Sequence, residues 1–581
     1  MIISGLGAVT VSKRSVADQV HHAWSQEYVV KELEAMGNSG TTLALEFLTG
    51  GRIPTSRSGR EFVVISDLDW SRLAIQDRSQ LWFLQQWYFI RACALEYRTS
   101  GTFDTTLKVL PVIRGWMAAN LEPRALVERD QLNWHDHATA LRCVHLIAFL
   151  MLLEKAGVDV GAELPRLDEC VVIHLRLLTS DEFYSKRTNH GFDQAVALYL
   201  IANVFDLGEL SSNAIMVARK RLLDEMSFAF SDDGVHVENS PSYHPGMMAR
   251  LLQTQSLLAA YEKESITFDF DGVLTKAMDF LTYALRPDGF VPLLGDSQMQ
   301  SVRTDFVSPS SKSATAHLRY SASQGAAGEK PLFSTKIFPL AGYAFLRSKW
   351  GGKADFTDVI HLSIKCGFLS TYHRHDDDNN ILLYAYGEDW LIDGGIYKYE
   401  ESDPLRIYMR SSFAHNVVSV ANAEVARSVL VKARRSGFIS WATTGARSEV
   451  VGRSFTTAGF RYERGVCLDR ETNTVEIADR MIRLDKGGPD SFQLRFHFPN
   501  DKEVAQSSGD VIDLRSRTSG RIMRIELLDG AFSSVEFHSG QRAPSYAGWH
   551  SPEIGKVVPA TTIVLHAGDR SHLQSKVRLS F

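Results

Sequence analysis

Three residues with metal-binding side chains stand at separated positions in the second half of the chain. They are His375, Asp393 and His415, and the stretches between them are typical of strands and turns. Imidazole nitrogen combined with carboxylate oxygen suits Zn²⁺ or a similar divalent ion. A second histidine, His373, stands two residues before the first of them. Because residues i and i+2 of a strand point to the same side, we expect His373 and His375 to face one cleft, one free for chemistry and one for a metal.

The length and composition of the chain are those of a large globular protein. It has 581 residues, of which 44% are hydrophobic and 23% are charged, so we expect two or more large domains. The formal net charge of −5 is small for this length and argues against a dedicated nucleic-acid-binding protein, which would usually be strongly basic. A local basic cleft for an acidic substrate remains compatible with this charge.

The cysteines and the first residues bear on the cellular compartment. The five cysteines are scattered and form no CxxC pair, so neither a disulfide framework nor a thiolate metal site is expected. Residues 1–14 lack the charged start and long apolar run of a secretory signal, and we find no 18-residue apolar stretch that would predict a membrane span. We therefore expect a cytoplasmic protein. A chain trimmed at its start, and then periplasmic or secreted, would look the same.

Two halves of the chain differ in the period of their apolar residues. From about residue 79 to residue 285 the apolar residues recur at helical spacing, with short polar or Gly/Pro-bearing connections. Successive antiparallel helices with short loops fit a bundle, a solenoid or a closed α/α barrel. Residues 302–330 are rich in small and polar side chains, which predicts a surface loop or linker.

After Phe338 the period becomes two, which predicts strands. Clear examples are residues 359–365, 380–386, 474–479 and 521–527. Strands at short spacing with turn signals indicate an antiparallel sandwich. Phosphate-binding and nucleophile-elbow motifs do not occur in a context that would support them.

The order of several short motifs resembles that of the heparinase II/III-like polysaccharide lyases. The second half carries His-x-His-x-Asp-Asp from His373, an Asp-Gly turn at Asp393 and Arg-Ser-Ser-Phe-Ala-His-Asn ending at Asn416. The first half carries Thr-Asn-His-Gly at 188–191, Asp-Gly-Val-His-Val-Glu-Asn-Ser-Pro-Ser-Tyr-His at 233–244 and Leu-Gly-Asp-Ser at 294–297. Gly-Tyr-Ala-Phe-Leu-Arg at 342–347 looks like the start of the family's sandwich. The resemblance covers roughly residues 133–420.

The resemblance implies a fold and a reaction. The fold is a multidomain α + β arrangement, with an incomplete (α/α) toroid at residues 1–335 and an antiparallel β-sandwich at residues 336–581 that carries the metal motif. The reaction is β-elimination at a uronic acid within a glycan, which breaks the C4–O bond without water and leaves an unsaturated sugar. The substrate is expected in the cleft between the two domains.

The resemblance also implies catalytic residues. Asn189 and His190 would bind the uronate carboxylate, although an Asn N-cap beside a surface histidine is the structural alternative. Tyr243 would act as acid, base or both, and His373 as its partner or as a carboxylate-neutralising donor. Tyr397 is the choice for a second catalytic tyrosine, ahead of Tyr399 and Tyr408.

The metal and substrate contacts complete the implied site. His375, Asp393 and His415 match the family's metal ligands, for one divalent ion that is structural rather than catalytic. Zinc is favoured, with manganese or calcium as alternatives. The predicted wall that contacts the sugar consists of Asn133, Trp134, His137 and Arg142. Glu238 is predicted to orient a catalytic donor. Arg406 and Arg410 are predicted to bind an anionic group of the substrate through their guanidiniums.

Several functions fit this sequence. The leading hypothesis is a lyase for uronate-containing polysaccharides or oligosaccharides, with glycosaminoglycans favoured over alginate or oligoalginate. The alternatives are a metal-assisted hydrolase that uses the same three ligands, and a non-catalytic acidic-glycan-binding protein of exopolysaccharide metabolism. An acidic glycan is the expected partner, with no nucleic acid and no membrane span, and the sequence does not indicate an oligomeric state.

Overall fold

A computed structural model describes most of the chain as two compact units. The described residues are 15–23, 26–38, 42–56, 61–75, 77–122, 124–125, 131–262, 267–302, 306, 311–421, 423–425, 434–487, 489–529 and 532–581. The first unit comprises Met1–Phe228 and Leu252–Phe268, and the second comprises Ala229–Leu251 and Asp269–Phe581. The predicted domain boundary between residues 335 and 336 stays a prediction. Residues 1–14, in which no secretory signal was recognised, lie outside the described residues.

Helices dominate the first part of the described chain. Their bounds are α1 Val16–Ala23, α2 Glu27–Asn38, α3 Thr42–Thr49, α4 Arg78–Gln85, α5 Ile90–Ser100, α6 Asp104–Asn120, α7 Asp136–Lys155, α8 Val160–Glu163, α9 Leu167–Thr179, α10 Asn189–Val204, α11 Glu209–Ala229, α12 His244–Tyr261, α13 Phe270–Ala284, α14 Lys312–Ala322 and α15 Pro404–Arg410. Short 3₁₀ turns lie at Ile65–Asp67 and Ser412–Ala414.

Helix α7 lies in the core of the first unit. It packs against α5 and α10, and leucine and other apolar side chains are buried around most of its circumference. By length and composition α7 meets the criterion for a helix that could cross a membrane, although the sequence shows no 18-residue apolar stretch without charges. However, 83% of its apolar window is buried inside the structure, and a core helix meets the same criterion.

The strands follow, apart from an early pair. Their bounds are β1 Arg52–Pro54, β2 Phe62–Val64, β3 Thr335–Phe338, β4 Tyr343–Arg347, β5 Ile360–Lys365, β6 Asn380–Ala385, β7 Glu388–Leu391, β8 Val418–Val420, β9 Gly437–Thr444, β10 Arg447–Ser454, β11 Phe460–Asp469, β12 Thr474–Arg483, β13 Asp490–Pro499, β14 Lys502–Ser508, β15 Val511–Ser516, β16 Ile522–Leu527, β17 Ser534–Ser539, β18 Trp549–Glu553, β19 Lys556–Arg570 and β20 His572–Ser580.

Three antiparallel sheets of the second unit share one hydrophobic core. Their strand orders are β3-β4-β5-β6-β7, then β14-β15-β16-β20-β12-β11-β10-β9, then β17-β19-β13-β8 with β18 paired to β19. Leu383 of β6, Ile477 of β12 and Leu494 of β13 all belong to this core. Burial alternates residue by residue along β11, as the period of two predicts. The predicted fold class, helices followed by antiparallel sheets, is therefore confirmed.

Two local predictions are wrong. The turn segment between β5 and β6 contains His373 and is not a strand, and His373 has a left-handed backbone with φ of 53°. Within the predicted linker at 302–330, helix α14 occupies Lys312–Ala322 and begins with a Ser311 cap that accepts from the backbone N–H of Ala314. Residues 303–305 and 307–310 of that linker lie outside the described residues.

Candidate active site and metal-binding group

A buried carboxylate, Asp296, lies at the centre of the candidate site in the second unit. It follows Gly295, which has a φ of 58° and whose added Cβ would lie 2.4 Å from the carbonyl oxygen of Asn239. Only glycine fits this turn without strain, so the backbone places the next side chain in one direction. Asp296 is 2% exposed and accepts hydrogen bonds from His373, His375 and Arg406.

His373 lies between two carboxylates. Its Nδ1 is 2.9 Å from Oδ2 of Asp296, and its Nε2 is 3.5 Å from Oε2 of Glu238. Glu238 is buried, and burial would raise its pKa, but His236 and His373 outweigh burial and lower it. The predicted orienting role of Glu238 fits this placement, because a carboxylate beside Nε2 stabilises the imidazolium form.

Two tyrosine hydroxyls meet beside this histidine. The hydroxyl groups of Tyr243 and Tyr399 are hydrogen-bonded to each other, and the Tyr243 ring lies 4.8 Å from that of His373 between centroids. Tyr243 immediately precedes α12, and its backbone carbonyl accepts from Met247 at 3.0 Å, so the helix start fixes its position. Burial, reinforced by Tyr399, raises the pKa of Tyr243, which therefore carries its proton at neutral pH.

The predicted second tyrosine, Tyr397, lies elsewhere. It packs against the small cluster of Tyr408, Met409 and Ala414, and Lys398 stands over its ring at 4.8 Å. Its φ of 55° turns the chain between Ile396 and the residues that follow. The structure therefore brings Tyr399 to Tyr243 in place of Tyr397.

The three predicted metal ligands form a buried group. One ligand atom from each of His375, Asp393 and His415 lies within 4.8 Å of the others. Asp393 comes two residues after β7 ends, and His415 comes three residues before β8 begins. The ends of these two strands therefore position both side chains. Nδ1 of His375 and Nε2 of His415 are buried and have no hydrogen-bond partner among the residues that the structure describes. Two unpartnered imidazole nitrogens beside a carboxylate are what a divalent ion requires, so these residues could hold one.

Hydrogen bonds orient each of these ligands. His375 uses Nε2 toward Asp296 at 2.7 Å, and His415 uses Nδ1 toward Asp393 at 2.9 Å. Asp393 also accepts from the backbone N–H of Gly395 at 3.0 Å. Burial alone would lower the pKa of His415, but Asp393 outweighs burial and raises it. These hydrogen bonds fix the orientation of the two imidazole rings that would bind a metal ion.

The first unit holds the other predicted catalytic pair, Asn189 and His190, at the start of α10. The Thr188 cap accepts from the backbone N–H of Gly191 at 3.1 Å. An added Cβ at Gly191 would lie 2.3 Å from the carbonyl oxygen of Ser185, so the turn needs glycine. Nδ1 of His190 is 3.2 Å from Oδ2 of Asp136, which leaves Nε2 directed away from this carboxylate.

The predicted sugar-contacting wall is buried and divides into a part beside His190 and a part in the helical core. His137 stacks on His190 with centroids 4.2 Å apart and pairs with Asp193 at 2.8 Å. Trp134 is 1% and Arg142 0% exposed, and the guanidinium lies 4.9 Å from the Trp134 ring. Asn133 is also buried, and its side-chain amide donates to the backbone carbonyl oxygen of Ala125. Their burial does not fit sugar binding, because these side chains already fill the core.

The two predicted anion-binding arginines are also engaged within the protein. Arg406 is 1% exposed, and its NH1 and NH2 donate to the two oxygens of Asp296 at 2.5 and 2.8 Å. Arg410 pairs with Glu401 and donates to the carbonyl oxygen of Arg374. The expectation that Arg406 binds a substrate anion is therefore not supported, since its guanidinium faces Asp296.

Sequence reasoning assigned no role to Asp296 and preferred Tyr397 to Tyr399, whereas Tyr399 is the tyrosine that is hydrogen-bonded to Tyr243. The Leu-Gly-Asp-Ser run at 294–297 was part of the family resemblance, but no role was assigned to its carboxylate. The glycine before it was the available signal, because a tight turn directly before an acidic residue marks a positioned side chain.

Comparisons with known proteins identify related sequences and structures. The family model described as heparinase II/III N-terminus matches residues 33–314, and the one described as heparinase II/III-like, C-terminal, matches residues 330–578. A heparin-sulfate lyase of Bacteroides thetaiotaomicron is 24% identical over 370 residues, which are 58% of this chain and 51% of that protein. A heparin-sulfate lyase of Pedobacter heparinus is 22% identical over 380 residues, 64% of this chain and 56% of that protein. The chain thus spans about half the length of the curated relatives it matches.

Solved structures share the fold. The crystal structure of heparinase III has a TM-score of 0.72 at 18% identity, covering 88% of this chain and 79% of that chain. The heparan sulfate lyase HepC from Pedobacter heparinus has a TM-score of 0.65 at 16% identity, covering 97% of this chain and 87% of that chain. At these identities the likeness concerns the fold alone, whereas the two family models together match most of the sequence. The chain belongs to the heparinase II/III-like family.

Proposed function

We propose that this protein is a lyase that cleaves uronate-containing glycans by β-elimination, with a glycosaminoglycan as its substrate. The observation that carries the proposal is the packing of the hydrogen-bonded Tyr243 and Tyr399 rings against that of His373, which Asp296 holds in place. Both proton-transfer groups that an elimination needs are side by side in the second unit. The heparin-sulfate lyases among the relatives support the choice of substrate class.

The chemistry of a uronate explains why these groups are needed. The C5 proton is weakly acidic, and its loss builds negative charge on the neighbouring carboxylate. The enzyme must therefore supply hydrogen-bond donors for that carboxylate, a base for the C5 proton and an acid for the departing O4. A hydrolase would need an activated water, whereas this reaction needs none.

We assign the base to His373 and the acid to Tyr243. Because Asp296 accepts from Nδ1, the neutral ring of His373 presents the lone pair of Nε2 as a base. After it takes up the proton, Glu238 at 3.5 Å stabilises the imidazolium. Tyr243, with its raised pKa, carries a proton to donate to O4, and its hydrogen bond with Tyr399 holds the hydroxyl in place.

Asn189 and His190 are the proposed donors for the uronate carboxylate. Both lie in the first turn of α10, where backbone N–H groups also favour a negative charge. With Nδ1 of His190 directed to Asp136, its Nε2–H is the group available to the substrate when the ring is protonated. His137, stacked on His190, supports the plane of that ring.

Zinc is the ion that we propose for His375, Asp393 and His415. A bound ion would cross-link the segments that carry these three residues, and its role would be structural. The unpartnered Nδ1 of His375 and Nε2 of His415 support this assignment, as do two nitrogen ligands and one oxygen ligand.

Ultraviolet absorbance of products tests the proposed reaction, because elimination leaves a conjugated C4–C5 double bond and hydrolysis does not. The panel consists of heparan sulfate, chondroitin sulfate, hyaluronan and alginate, as polymers and oligosaccharides. We expect an absorbance rise with a glycosaminoglycan that disappears in Tyr243→Phe. New reducing ends without absorbance would support the hydrolase, a rise with alginate alone would correct the substrate, and binding without cleavage would overturn the proposal.

A further inference from the structure

We propose that Asp296 is a positioning residue whose one carboxylate sets opposite tautomers on two histidines, the base His373 and the metal ligand His375. The proposal rests on the function proposed above for the role of His373. Through its two hydrogen bonds, this buried aspartate would link the proposed proton-transfer residues to the metal-binding group.

The geometry around the carboxylate is symmetric. Oδ2 is 2.9 Å from Nδ1 of His373 and 2.8 Å from NH2 of Arg406, while Oδ1 is 2.7 Å from Nε2 of His375 and 2.5 Å from NH1 of Arg406. Each oxygen therefore accepts from one imidazole and from one guanidinium nitrogen. The bidentate pair with Arg406 keeps the carboxylate in one plane.

The groups on both sides of the carboxylate are themselves fixed. Arg406 stands in the first turn of α15, where Asp403 caps the backbone N–H groups of Leu405 and Arg406 at 2.8 and 3.1 Å. Its NH1 also donates to the carbonyl oxygen of Ile396 at 3.0 Å. On the other side, the left-handed Gly295 lies against the backbone of Asn239. Rotation of the carboxylate away from the histidines would break several of these bonds together.

The carboxylate decides where each imidazole carries its proton. An aspartate only accepts hydrogen bonds, so His373 must have its proton on Nδ1 and His375 must have its proton on Nε2. The lone pairs are then Nε2 of His373, where the base is needed, and Nδ1 of His375, which is one of the two unpartnered nitrogens of the metal-binding group. Two histidines only two residues apart thus take opposite tautomers because they approach the same carboxylate from opposite ring edges.

An amide cannot replace this function. Asn at position 296 would offer one accepting oxygen and one donating nitrogen, so at least one of the two histidines would lose its acceptor. A merely structural role for Asp296 would lower stability without changing the tautomers. The matched control is Asp479→Asn, because Asp479 is also 2% exposed and binds a buried arginine, with Nε and NH2 of Arg464 at 2.7 and 2.9 Å.

The first measurement is the ¹⁵N–¹H spectrum of histidine-labelled, metal-free wild type, with signals assigned by single substitutions. We expect the Nδ1–H form for His373 and the Nε2–H form for His375. The opposite tautomer at either residue overturns the proposal. This measurement decides the matter even if Asp296→Asn does not fold.

The second measurement compares Asp296→Asn with Asp479→Asn at matched folded fractions. For Asp296→Asn we expect a kcat lower by about 10²-fold or more, a nearly unchanged KM and zinc affinity lower by about 10- to 100-fold in a chelator competition. For Asp479→Asn we expect wild-type values of all three. A loss in only one of kcat and zinc affinity overturns the shared role. If no glycan is turned over, the proposed function fails, while the spectrum and the zinc affinity still test Asp296.

Discussion

Replacing single tyrosine hydroxyls distinguishes the roles of three tyrosines, Tyr243, Tyr399 and Tyr397. In Tyr243→Phe the ring remains 4.8 Å from that of His373 and only the hydroxyl is lost. Tyr399→Phe removes the group that is hydrogen-bonded to it, and Tyr397→Phe changes a residue that packs with Tyr408 and Met409. Each variant deletes one oxygen atom, so the three changes are closely matched in size.

The expected losses differ by orders of magnitude. General acid catalysis contributes about 10²- to 10⁴-fold, which is about 3–5 kcal/mol of transition-state stabilisation that Tyr243→Phe would lose. Tyr399→Phe removes one hydrogen bond to the phenol, about 1 kcal/mol, which corresponds to less than about tenfold in rate. Tyr397→Phe should leave the rate within about twofold, since removing one hydroxyl outside the reacting groups changes little.

The assay follows the absorbance of the unsaturated product over a range of substrate concentrations, so that kcat and KM are obtained separately. We expect the loss in Tyr243→Phe in kcat, because the proton is transferred only in the transition state. Near-identical melting temperatures would show that the fold is retained. A Tyr243→Phe enzyme within tenfold of wild type, or a Tyr397→Phe enzyme as slow as Tyr243→Phe, would refute the assignment.

Three further outcomes can be measured. His415→Ala should abolish zinc binding and lower the free energy of unfolding by about 3–5 kcal/mol, because Asp393 stays buried without its partner; a chelator should then lower the melting temperature of wild type but not of the variant. Gly191→Ala should lower both stability and kcat by forcing apart the turn that presents Asn189 and His190, whereas Gly161→Ala, whose Cβ meets nothing closer than 3.5 Å, should do neither. Acid should destabilise the fold through His244, because burial lowers its pKa from 6.5 to about 3. As the pH falls, the unfolded chain takes up the proton before the folded chain does. The contribution of His244 to stability is therefore complete above pH 6.5 and is lower by about 2 kcal/mol at pH 5. Denaturant titrations at both pH values should show a smaller fall in His244→Gln, and an equal fall would contradict this explanation.

The fold class was predictable because burial imposes its period on the sequence. Helical spacing in the first half and alternation in strands such as β11 and β12 are direct consequences of one covered face. The helix α14 was missed because its small and polar residues resemble a linker, and only its Ser311 cap marks its start. Local composition and local structure disagree there because tertiary packing decides the outcome.

The site was predictable in its residue types and less so in its contacts. His375, Asp393 and His415 do come together, since their order along the chain matched a known pattern. Arg142 and Arg406 were expected to face a substrate and are instead buried, because a charged residue reveals its need for a partner but not whether that partner is a substrate or another side chain.

The choice between Tyr397 and Tyr399 could not be made from the sequence, because both stand in an irregular segment. In a strand, residues two apart share a face, but the left-handed φ of 55° at Tyr397 removes that rule. The same holds for His373, whose φ of 53° invalidates the strand argument used for it. His373 and His375 nevertheless contact the same side chain, because both are hydrogen-bonded to Asp296.

The left-handed backbone conformation of His373 has an energetic cost that the surrounding contacts must offset. A left-handed residue other than glycine costs about 1–3 kcal/mol and persists only where its surroundings enforce it. Here the Asn239 amide donates to the carbonyl oxygens of Ser370 and Tyr372 at 2.9 Å each, which fixes the chain just before the histidine. Asp296 then holds the ring itself. A glycine at position 373 would relieve this backbone cost but would remove the imidazole that the mechanism proposed above uses as its base.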